Sequence, residues 1–130
     1  MDLQKYRDQI DQIDDQILKL LEQRVDIVHK VGELKTKQNL ISFIKPAREA
    51  KMIRNLISKN KSIFPARAIF AIWRVIITYS LVVENNIKIA TTSSDPTTLR
   101  YIYEYFNLDV QIFDNKTDLF SHLDSNANFI

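Results

Sequence analysis

The stretch LQKYRDQIDQIDDQILKLLEQRVDIVHKVGEL, residues 3–34, decides the architecture. Within it Leu3, Tyr6, Ile10, Ile13, Ile17, Leu20, Ile27, Val31 and Leu34 recur at alternating spacings of three and four, a helical seam about five heptads long. Arg24 stands where the seam calls for an apolar side chain. A guanidinium cannot shed its charge, so seating it among apolar neighbours requires an anion to receive its fork of donors.

Two further segments repeat the pattern. Ile63, Ala66, Phe70, Trp73, Ile77, Ser80 and Glu84 follow the same spacing, an apolar stripe that ends in a hydroxyl and a carboxyl. Between them Met52, Ile53, Leu56 and Ile57 form a short apolar face, with Arg48 and Glu49 one turn earlier. Three amphipathic helices whose stripes each turn polar over a short stretch predict a polar chamber inside a helical bundle.

The spacing predicts a first helix from Leu3 to Lys37, about 50 Å at ~1.5 Å per residue, too long for a small domain to bury alone. Gly32, the only glycine in the chain, lies inside it and implies a close neighbour. Gln38 and Asn39 are expected to end it. Pro46 opens a second helix reaching Lys59, and Pro65 a third ending near Asn85-Asn86. From Ile87 the pattern changes: a strand to Thr92, a helix from Asp95 to Phe106, a strand from Leu108 to Phe113, and a short helix from Thr117 to Leu123. The expected division is a helical domain over 1–86 and a small α/β appendage or partial domain over 87–130, the latter too small for its own core. Asn128-Phe129-Ile130 looks like the start of a third strand.

Composition narrows the function. With 130 residues and 45% hydrophobic content the chain can build a core. Zero cysteines exclude disulfides, zinc-thiolate sites and cysteine nucleophiles, and fit a reducing compartment. A polar N-terminus, and a most apolar run of only Val75 to Val83, lead to the expectation of a cytoplasmic protein with no membrane span. Residues 30–61 hold nine Lys/Arg against two Asp/Glu, yet Phe43 is the only aromatic there, so a small anion suits this stretch better than nucleic acid. No glycine follows Gly32, which excludes a dinucleotide-binding turn in the C-terminal part. His29 and His122 read as structural or solvated.

Arg7, Arg24, Lys35, Arg48, Glu49, Ser80 and Glu84, in this order on one long and two medium helices, resemble the all-helical chorismate mutase family. The resemblance covers residues 3–87 and runs through Tyr6-Arg7-Asp8-Gln9-Ile10-Asp11, Val31-Gly32-Glu33-Leu34-Lys35, Ala47-Arg48-Glu49 and Ser80-Leu81-Val82-Val83-Glu84. It implies a mainly α fold, a three-helix intertwined homodimer, here with a βαβα appendage. The spacing of the residues agrees: Arg7 and Lys35 lie 28 residues apart, about 42 Å along a helix, more than a metabolite spans. Two first helices crossing antiparallel near Ile17 and Leu18 bring Arg7 of one chain between Arg24 and Lys35 of the other, in two equivalent sites.

The resemblance also implies the reaction, the pericyclic rearrangement of chorismate to prephenate in aromatic amino-acid biosynthesis, with no metal or cofactor. Such a catalyst must hold a flexible dianion in its compact conformer and stabilise charge growing on the breaking ether oxygen. Matching positions assign Arg7 of the partner subunit, Arg24 and Arg48, helped by Ser80, to the carboxylates. Lys35 and Glu84 would flank the ether oxygen, and Glu49 would accept from the ring hydroxyl. Lys45 departs from the family, which commonly carries an acid there near the hydroxyl. All seven residues precede Ile87, so the C-terminal part is expected to be dispensable for the chemistry.

Each residue also has a plainer reading. Arg24 can set register in a coiled coil, Lys35 can complement the helix dipole, and Ser80 can bond to the carbonyl one turn earlier. Arg7, Arg48 and Glu49 can be surface charges. Two other functions fit the same residues: isochorismate pyruvate lyase chemistry on the same scaffold, and a non-catalytic dimerisation or ligand-binding module.

Overall fold

The structure is a computed structural model and describes residues 2–38, 45–85 and 87–125. The expectations placed on Asn39, Phe43, Asn86 and Asn128-Phe129-Ile130 lie outside the described residues. The chain is mainly helical: α1 Leu3–Lys37, α2 Pro46–Lys59, α3 Ala66–Asn85, β1 Ile89–Thr91, α4 Pro96–Phe106, β2 Val110–Ile112 and α5 Lys116–Ser125.

Local chemistry sets these limits. The Asp2 carboxylate caps α1 by accepting from Gln4 N at 2.9 Å, and Lys35 and Lys37 sit in its last turn, where the helix dipole favours cations. Pro46 occupies the first turn of α2, where its missing N–H is no loss. Asp95 caps α4 through Thr98 N at 3.0 Å, and Asn107 ends that helix in the left-handed region with φ 55°. Strands β1 and β2 pair in parallel, Ile89 with Val110 and Thr91 with Ile112, with α4 as the crossover.

Helix α3 lies at the centre, packed on α1, α2 and α4. Its buried face supplies Ile69, Ile77 and Leu81, and Ile53 of α2 meets Ile77 and Leu81 in one cluster. Ile87 belongs to the same cluster and Leu108 packs against it, so the C-terminal segment shares the bundle's core. Tyr101 does not join in, at 67% exposure. The stripe expected to begin at Ile63 begins later: Ile63 precedes α3 and is fully exposed, and Phe70 lies near the rim at 38% exposure.

The expectation that no stretch is long enough for a membrane needs correction. Because α3 is continuous, Ala66–Glu84 is long and apolar enough to cross one by length and composition alone, with mean hydropathy 1.7. In the fold this helix supplies the core face, and buries Arg74, Thr78 and Ser80 among the apolar side chains.

Helix α1 divides along its length. Residues 3–20 are exposed throughout, and the seam side chains Leu3, Tyr6, Ile10, Ile13, Ile17 and Leu20 face away from the chain's own core. The C-terminal half lies on α3, and there Gly32 is buried. A Cβ at Gly32 would stand 3.1 Å from Glu84 Cα and 3.2 Å from Glu84 O, tighter than ordinary contact. Glycine therefore sets the closeness of α1 and α3 at Glu84.

Candidate functional site

Helices α1, α2 and α3 line a cavity of about 600 Å³, a volume typical of small-molecule sites. Helix α1 contributes Arg24, Val28, Val31 and Lys35, α2 contributes Arg48, Glu49 and Met52, and α3 contributes Ile77, Ser80, Leu81 and Glu84. Lys45, just before α2, also lines it. Six of the seven residues singled out from the sequence thus share one chamber. Arg7 does not: it lies on the exposed half of α1, 17 residues before Arg24, about 25 Å along the helix.

Four cations, Arg24, Lys35, Lys45 and Arg48, face two carboxylates, Glu49 and Glu84, leaving a surplus of two positive charges over apolar walls. Such a chamber is complementary to a small dianion. The discomfort of the cations is visible at Arg24, whose pKa is lowered first by burial and then by the nearby Arg48, against a smaller opposing effect of Glu84. Its Nη1 donates to Ser80 Oγ, a neutral acceptor that brings no compensating charge.

Ser80 serves two partners. Its Oγ donates to Ile76 O at 2.6 Å, the backbone bond expected of a mid-helix serine, while its lone pairs receive Arg24. As found, the hydroxyl orients the guanidinium and keeps its own proton on the helix. Lys35 Nζ lies 3.0 Å from Glu84 Oε2, a part-buried ion pair joining α1 to α3 at the level of Gly32. Both groups can meet one ligand atom only if that pairing loosens.

Glu49 is no surface charge. It is buried, and Arg74 Nη1 of α3 lies 3.8 Å from its Oε1. Arg74 escaped the sequence reading although its signal is the same as that of Arg24, a lone cation in the apolar run Ile69-Phe70-Ala71-Ile72-Trp73-Arg74-Val75-Ile76-Ile77. Arg48 is exposed at the mouth, near enough to Arg24 to repel it. The two histidines lie elsewhere: His29 faces Glu33 at 3.6 Å on the surface, and His122 stacks near Phe113 at 5.0 Å.

Residues 6–85 match the family model for chorismate mutase type II. The chain is 37% identical over 93 residues to a bifunctional chorismate mutase/prephenate dehydratase of Aquifex aeolicus, covering 68% of this chain and 25% of that protein. It is 33% identical over 85 residues to a protein of the same description from Neisseria gonorrhoeae, covering 65% and 23%. The chain therefore spans about a quarter of the length of the curated relatives it matches.

Proposed function

Because the chain belongs to the chorismate mutase type II family, we propose that it rearranges chorismate to prephenate in the cavity between α1, α2 and α3. The observation that carries the reading is the convergence of Arg24, Lys35 and Arg48 on one 600 Å³ chamber with two uncompensated positive charges. Chorismate is a dianion, and its two carboxylates supply what the cations lack. Arg24, held by Ser80, takes one carboxylate through charge-assisted bonds, and Arg48 at the mouth closes on the other. Holding both ends favours the compact conformer in which the new C–C bond forms. Lys35 and Glu84 then stand on the ether oxygen, where negative charge grows as the C–O bond breaks.

The proposal includes a homodimer with shared sites. Arg7 cannot reach the cavity of its own chain, and the seam around it is uncovered. A second α1 crossing antiparallel near Ile17 and Leu18 covers that seam and delivers Arg7 of the partner subunit to the open side of the cavity.

Purified protein given chorismate should form prephenate, whereas isochorismate should yield no salicylate and pyruvate. Formation of salicylate with no prephenate would replace the mutase reading by the lyase one, and chorismate binding without either product would leave a ligand-binding module.

Glu84 offers a further test, because its Oε2 pairs with Lys35 Nζ at 3.0 Å while help to the ether oxygen needs a donor. Glu84→Gln supplies an amide donor of nearly the same shape and should retain most of kcat for prephenate formation, whereas Glu84→Ala should lose most of it; equal losses in both would leave Lys35 as the donor.

A further inference from the structure

We propose that Arg74 is a positioning residue, held by Tyr105 of the C-terminal segment, that fixes the Glu49 carboxylate in the cavity wall and so couples residues 87–125 to substrate binding. The inference rests on the mutase reading for what Glu49 does, and on contacts alone for how it is held.

Arg74 is 1% exposed, at the middle of α3. Its Nε donates to Tyr105 O at 2.9 Å, its Cζ lies 3.8 Å from the centroid of the Tyr105 ring, and its Nη1 points to Glu49. Only a planar guanidinium can use its face and two of its edges at once, so lysine is no equivalent. Each contact has its own physical reason. Tyr105 O is among the last four carbonyls of α4, which lack partners inside the helix, and α4 has no basic residue of its own in its last turn. Arg74 is the cation that meets that end from α3. Tyr105 is kept in place by Phe106, 4.8 Å away in an edge contact, and by Phe70 at 6.5 Å. Tyr79 OH reaches Asn107 O at 3.4 Å beside it. The C-terminal turn of α4 is thus seated on α3.

At the other end the contact is an ion pair without a hydrogen bond. The 3.8 Å separation exceeds hydrogen-bond range, and Glu49 Oε1 and Arg74 Nη2 are both buried with no hydrogen-bond partner among the described residues. A carboxylate in this state depends on its counter-charge for its place. Loss of Arg74 would leave Glu49 to turn toward Arg24 or Arg48 in the cavity, where it would compete with the substrate for the same cations. The earlier expectation that the C-terminal part is dispensable for chemistry omits this path.

The test uses full-length chains carrying Arg74→Met, Tyr105→Leu, Glu49→Gln, and each of the first two combined with Glu49→Gln. If Arg74 acts through Glu49, Arg74→Met raises KM for chorismate about tenfold with kcat changed far less, since a contact made equally in ground and transition states appears in KM. Arg74→Lys should restore little of this. Within the Glu49→Gln background Arg74→Met should add nothing, a non-additivity that a merely structural role does not produce. Tyr105→Leu keeps the carbonyl and removes the ring, so it should show the same pattern in weaker form, and it carries the test if Arg74→Met does not fold. Additive effects on KM in the double variants would overturn the inference. Melting the same chains gives a readout without turnover: the Tm losses of Arg74→Met and Glu49→Gln should fall short of additive by roughly 4 °C or more. A wild-type chain that forms no prephenate would sink the mutase reading alone; additive Tm losses would sink the coupling whatever the reaction.

Discussion

Mixing an inactive Arg7→Ala chain with an inactive Lys35→Ala chain is expected to restore about a quarter of the wild-type rate after co-refolding. The fraction follows from the symmetry of the proposed dimer. Half of the randomly paired dimers are mixed, and in each of these both lesions fall in one site while the other keeps intact Lys35 and intact Arg7 of the partner subunit. The geometry behind it is plain: Lys35 lines the cavity, and Arg7, 28 residues earlier on the same straight helix, does not. Each variant alone should lose most of its activity, because each removes one cation from every site. Prephenate formation in the mixture, against either parent at equal total concentration, is the measurement. A mixture no better than its parents would remove Arg7 from the site or the second chain from the mechanism.

Arg24→Leu should separate stability from activity more sharply than any other change. The guanidinium is part-buried, repelled by Arg48 and, among the described residues, hydrogen-bonded to the neutral Ser80 hydroxyl, and it interrupts an apolar seam. Leucine removes a charge whose burial is unfavourable, so the unfolding temperature should stay level or rise. The same change deletes the donor fork that a substrate carboxylate would occupy in a desolvated chamber. Loss of such a partner is worth about 2–5 kcal/mol, roughly a thirtyfold to a few-thousand-fold fall in kcat/KM. Were Arg24 a register-setting residue in a coiled coil, the variant would change the oligomeric state and leave little else altered. Sedimentation and kinetics on one sample distinguish the two.

What could be read from the sequence was the part that periodicity and side-chain identity carry. The spacing of apolar residues places α1 within Leu3–Lys37 and α2 within Pro46–Lys59, and Pro and Asx signals mark the later elements to within a few residues. Polar residues in or beside the apolar stripes pointed to Arg24, Arg48, Glu49, Ser80 and Glu84, and the family resemblance pointed to Lys35; the fold gathers these six. What stayed hidden depends on partners that carry no such mark. Arg74 was passed over because Trp73, one position away, satisfies the stripe, and its main acceptor is the Tyr105 carbonyl, a group every residue has. Periodicity reveals a face and not what covers it, so Ile63 and Phe70 read as interior although they are open to solvent. The Arg24 to Ser80 and Ser80 to Ile76 bonds show a functional and a local reading of one serine holding together.

In the proposed dimer the bare seam of α1 turns stability into a matter of mass action. Nine apolar side chains from Leu3 to Leu34, with Leu18 among them, remain at least half exposed in the single chain, a surface that water disfavours at roughly 25 cal/mol per Å². A protein that covers such a surface only with its own twin has no fixed melting temperature, because unfolding also separates two molecules. Its midpoint should climb with concentration, and its specific activity should fall on dilution below the dissociation constant, on a timescale set by strand exchange of the long helices. Enzyme kept concentrated would then look robust, while the same preparation in a dilute assay would fade without any covalent damage and recover on being concentrated again.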